Sequence, residues 1–71
     1  MTIEDVRNSV EEIRDLADVK KDDELAHVQE DILYQDVLKN IASGELSLEN
    51  AILFAQEALK TNKIDFSRWY A

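Results

Sequence analysis

Apolar residues at Ile3, Val6, Val10, Ile13 and Ala17, with Leu16 at their edge, recur every three or four positions. That spacing gathers side chains into one stripe of an α-helix. Thr2, with Asp5 three residues on, is a capping-box start, and Asp and Glu fill the rest of the surface, so a first helix is predicted to run to about Asp18. "KKDDE" interrupts the pattern. Asp22 or Asp23 can cap a second helix with Glu24 in its first turn, and Gly44 can take the left-handed conformation that ends it after Ser43. The second helix carries two apolar groups, since a rotation of about 100° per residue puts Leu25, Val28 and Ile32 on one side and Tyr34, Val37, Leu38 and Ile41 on another. One packing partner for each half is the simplest arrangement.

Ser47 can cap a third helix, with Leu46 placed as a hydrophobic staple. Its main stripe reads as Leu48, Ala51, Ile52, Ala55 and Leu59, ending near Thr61 and Asn62, while Leu53 and Phe54 fall outside it and need a second cover. In the tail "IDFSRWYA", Asp65 can start one short final turn. Ile64, Phe66 and Trp69 are the residues expected to dock, on Leu53 and Phe54 or on another molecule. The expectation is an all-α fold: one domain, 1–71, built as a small bundle of three main helices with a short C-terminal helical turn packed on it. The near absence of turn formers, one Gly and no Pro, agrees with that.

Charge divides the chain. Residues 1–31 hold eleven Asp/Glu against four Lys/Arg, net −7, and residues 32–71 hold five against four, net −1. An acidic surface of this kind repels phosphate backbones and anionic lipid, so direct nucleic-acid and membrane binding are not expected, and a protein partner, of which a basic one is the natural case, is. No apolar run approaches the roughly 18 residues of a membrane span. With no cysteine, disulfides and thiolate metal sites are excluded, and a cytoplasmic protein is the default expectation. In so short a chain, the surplus apolar residues of the second and third helices make a homodimer one way of covering them.

The single histidine lies in "ELAHVQED". Glu24, His27, Glu30 and Asp31 share neighbouring parts of one helix surface, and Glu24-x-x-His27 has the spacing of ligands in carboxylate-bridged di-iron bundles. Those sites need a second such motif, and one histidine supplies none, so no metal or cofactor is assigned. His27, Glu30 and Tyr34 instead lie along the stripe that leads to Val37, Leu38 and Ile41, which places the histidine half-buried at the margin of the core. There it can hydrogen-bond Glu30, Asp31 or the tail. Arg68 and Trp69 read as a pair with two uses: a binding hot spot, or Trp69 filling the end of the bundle while Arg68 answers an acid of the first helix, which is the reading preferred here. His27, Glu30, Asp31, Tyr34, Asp65, Arg68 and Trp69 therefore form the candidate interaction or structural site.

"EEIRD", Glu11 to Asp15, is similar in part to the paired acidic motif of all-α nucleoside-triphosphate pyrophosphatases, a resemblance that implies magnesium held by carboxylates against a phosphate. The second helix departs from that pattern, offering Glu30, Asp31 and Asp36 without the expected Glu-x-x-Asp, and no Lys/Arg cluster is placed to receive phosphates. A wider likeness runs from Leu25 to Ala71. "AHVQEDILYQDVLKNIASG" followed by "EALKTNKIDFSRWYA" resembles small phage and prophage proteins with an Ala-His-x-x-Glu-Asp segment, Asp-Val-Leu and a terminal Ile-Asp-Phe-x-Arg-Trp. The positions that correspond are Ala26, His27, Glu30, Asp31, Asp36, Val37, Leu38, Ile64, Asp65, Phe66, Arg68 and Trp69. The resemblance implies a genomic setting and groups the histidine segment with the tail, but it carries no activity. The functional expectation is a non-enzymatic acidic helical protein of phage or prophage type that binds a protein partner, through the acidic first helix or the tail surface, in a regulatory or accessory role. The alternative is a small carboxylate-dependent metal-binding or nucleotide-hydrolysing protein completed by dimerisation.

Overall fold

Thr2 starts the first helix as its spacing predicts. Its hydroxyl accepts the Asp5 N–H at 3.2 Å while the Asp5 carboxylate accepts the Thr2 N–H at 2.7 Å, satisfying two of the donors that a helix start leaves open. The computed structural model describes residues 1–68, and every regular element among them is helical, with no strand. Helix α1 spans Ile3–Asp18, α2 Asp23–Ala42 and α3 Leu48–Ala58, and α3 tightens into a 3-10 helix, Leu59–Lys63. Asp22 caps α2, accepting from the Leu25 N–H at 3.1 Å, and Ser47 caps α3, accepting from the Asn50 N–H at 3.1 Å. Between α2 and α3 the backbone turns through Gly44 at φ 76°, the left-handed conformation that its missing Cβ makes inexpensive.

The core begins on α1. Val6, Val10, Ile13, Leu16 and Ala17 are all buried, so the predicted stripe is the one that packs. Helix α1 lies against both α2 and α3. The opposing side of α2 is Ala26, Glu30, Leu33 and Val37, whose four-three-four spacing matches the Val6, Val10, Ile13, Ala17 series facing it. Ile64 and Phe66 of the tail close the cluster, and Leu46 packs at its edge in the staple position.

Four expectations are corrected. Leu25, Val28 and Ile32 are exposed, so the first half of α2 turns a different face inward, one that includes a glutamate. On α3 the stripe with more apolar residues is the outer one: Leu48, Ile52 and Leu59 are exposed, and Phe54 and Ala58 are buried. Leu38 of α2, expected in the core, is 65% exposed. The final helical turn is the 3-10 segment Leu59–Lys63, and Asp65 starts no turn within the described residues. Among the described residues, no helix is long and apolar enough to cross a membrane.

Candidate functional site

Glu30 lies in the middle of the core-facing side of α2 and is 4% exposed. A carboxylate there would be strongly destabilising unless paired and hydrogen-bonded. Arg68 supplies the pairing through two parallel bonds, Nε to Oε1 and Nη2 to Oε2, both 2.9 Å, the bidentate fork for which guanidinium is suited. The same guanidinium gathers the tail around itself. Its Nη2 donates to the carbonyls of Thr61 at 2.9 Å and Ile64 at 3.3 Å, and its Nη1 to that of Phe66 at 3.3 Å. A cation is thereby placed at the carbonyl end of the 3-10 helix, where the helix dipole favours it. The Phe66 ring lies beneath, 3.8 Å from its centroid to the guanidinium carbon.

Thr61 links this pair to Tyr34. Its side chain is completely buried, and the hydroxyl meets the Tyr34 hydroxyl at 2.5 Å. The Tyr34 hydroxyl also lies 3.2 Å from the Asn62 amide oxygen, which accepts from it. The charge state of Glu30 follows from these contacts. Burial pushes its pKa up, but the hydrogen bonds of Arg68 and Thr61 and the charges of Arg68 and His27 together hold it below the ordinary value of 4.5.

The other candidates lie around this centre in different ways. His27 is at the margin of the core as expected, its side chain 13% exposed, with Nε2 3.6 Å from the Asp31 carboxylate, itself mostly in solvent. Asp65 is exposed and adds no bond to the cluster among the described residues, and Trp69 lies outside them. The acid that Arg68 answers is in α2, not in the first helix as preferred from the sequence. Asp23, read only as a capping candidate, accepts the Ser67 N–H at 3.1 Å and ties the tail to the start of α2. Sequence reasoning also missed Thr61, which it took as a helix end; a small hydroxyl one turn past Ala58 was the only available signal.

Chemically, the arrangement is a closed structural clasp. Both Glu30 oxygens are engaged, every buried side-chain polar atom described has a partner, and no group of three or more potential metal ligands occurs among the described residues. Thr61→Val is expected to cost about 1–2 kcal/mol, because it removes a buried hydroxyl that bonds Tyr34 and helps hold Glu30 ionised. Urea melts of this variant beside Asn62→Ala check that ranking, and equal midpoints would remove Thr61 from the clasp.

A second feature is open. A groove of about 250 Å³ with almost wholly apolar walls runs between α2 and α3, lined by Tyr34, Val37, Leu38, Ile41, Ala55, Ala58 and Leu59, and none of its lining belongs to α1. No protein-family model, no curated protein and no solved structure matches the chain.

Proposed function

We propose that this chain is a non-enzymatic helical protein of phage or prophage type, in an accessory or regulatory role, and that it acts by binding a protein partner on the apolar α2–α3 face. The observation that carries the reading is the groove, with Leu38 and Leu59 exposed along its walls. Small soluble domains seldom leave contiguous apolar surface open without a use for it, and grooves between helices are a recurrent seat for a partner's amphipathic helix. The competing carboxylate-dependent chemistry draws no support from Glu30, whose oxygens are committed to Arg68.

Leu38→Glu puts a charge into the groove at a position already in solvent, so the fold should tolerate it. Proteins captured from host lysate by the wild type are expected to be lost with this variant, and then to bind the purified wild type as binary complexes. Identical captures by both proteins, with self-association also unchanged by Leu38→Glu, would refute the reading. So would magnesium, manganese or zinc binding by calorimetry that Glu30→Gln abolishes.

A further inference from the structure

We infer that the partner which fits the α2–α3 face is a second copy of this chain, packed antiparallel about a two-fold axis through α3. The inference rests on the binding role proposed for that face and names its occupant.

The first support is periodicity. Leu48, Ile52, Ala55 and Leu59 are separated by four, three and four residues, the spacing of a seam that packs against another helix, and the three larger side chains are exposed, Leu48 at 78%. Within the chain, α1 presents the same four-three-four series to α2, so the fold already uses this packing mode once. Among the described residues the α3 seam has no such partner. Small Ala55 near its centre permits close approach of two α3 axes, while Leu38 and Ile41 of α2 stand alongside to receive the partner's Leu59 or Leu48.

Charge argues for self-association over a basic partner at this face. Two copies of a chain with net charge −8 repel in general, but the acid is concentrated in residues 1–31, and residues 32–71 are nearly neutral. Along the seam the signs are ordered: Glu45 and Glu49 lie at its start, and Lys60 and Lys63 at its end. An antiparallel two-fold contact brings each acidic end to the basic end of the other copy, the self-complementarity that an isologous interface requires. A parallel contact would set like against like. Lys60 already bonds Glu57 within its own chain at 3.0 Å, so Lys63 is the cation assigned to the intermolecular pair.

Area sets the strength. The stretch from Leu48 to Lys63 is about 26 Å long at helical rises. With α2 at an ordinary interhelical distance the face is about 20 Å wide. That is about 500 Å² per copy, at the threshold for a specific interface.

Sedimentation equilibrium of the full chain from about 5 to 500 μM is expected to show monomer–dimer exchange, which Ile52→Glu abolishes while circular dichroism and melting of the dilute protein stay unchanged. Glu49→Lys alone is expected to weaken the dimer about two- to fivefold, and Glu49→Lys with Lys63→Glu to restore it. A wild-type chain that stays monomeric at 500 μM overturns the inference. So does a dimer indifferent to Ile52→Glu, or a double charge exchange that fails to restore it. If the chain is monomeric and Leu38→Glu still abolishes capture of another protein, the binding role stands and only the occupant named here is wrong.

Discussion

Arg68→Ala is expected to destabilise the fold by about 3 kcal/mol, because removing one member of a buried pair leaves the other charge without compensation. In a domain of this size that corresponds to a fall in melting temperature of roughly 12 °C or more. The variant loses the fork to Glu30 together with the bonds that hold the carbonyls of Thr61, Ile64 and Phe66. The effect has a pH signature. In the wild type Glu30 titrates below its ordinary value, so its contribution is fully present above about pH 4.5 and fades as pH falls through the lowered folded pKa. Without Arg68, burial dominates and raises the folded pKa. The carboxyl then favours the folded state in acid and opposes it as pH rises, so the gap between variant and wild type should be widest near neutrality and narrow toward pH 4. Melts at pH 7, 5.5 and 4 check this, and a pH-independent gap would show that Arg68 acts through packing alone. Exchanging both partners, Glu30→Leu with Arg68→Met, is expected to recover most of the loss, because the apolar pair carries no desolvation cost.

The second large effect decides which side of α3 faces inward. Phe54→Ala should cost about 3–5 kcal/mol, the range for truncating a buried aromatic, whereas Leu59→Ala, at a groove-wall side chain 55% exposed, should cost less than about 1 kcal/mol in dilute protein. Urea unfolding at low micromolar concentration separates the two. A Leu59→Ala cost comparable to that of Phe54→Ala would mean that the helix is turned the other way.

That prediction isolates what the sequence leaves ambiguous. Helix α1 is legible because its apolar residues occupy one stripe, acids occupy the rest, and its cap is local. Helix α3 has apolar residues on two sides. Periodicity alone favours the more populated side, yet the core takes the one with Phe54, and Ala58 brings α3 close. On α2 the pattern misleads for a different reason: a glutamate occupies an inward position, so the true stripe of Ala26, Glu30, Leu33 and Val37 looks broken. What mends it is an arginine 38 residues further along, and local spacing carries no information about that distance. The site is legible to the same degree. His27 at the margin of the core, Tyr34 and the tail can be read from helical geometry, while the choice of Glu30 as Arg68's acid and the role of Thr61 depend on tertiary placement.

The sequence distance between Glu30 and Arg68 bears on kinetics. The helices and their caps are local and can form early, but the guanidinium reaches its carboxylate only after a long loop has closed, an entropic cost met before the bond contributes. Contacts completed after the rate-limiting step slow unfolding more than they speed folding. The clasp is therefore expected to act on the lifetime of the native state, so that Arg68→Ala moves the unfolding limb of a chevron plot and leaves the refolding limb nearly in place.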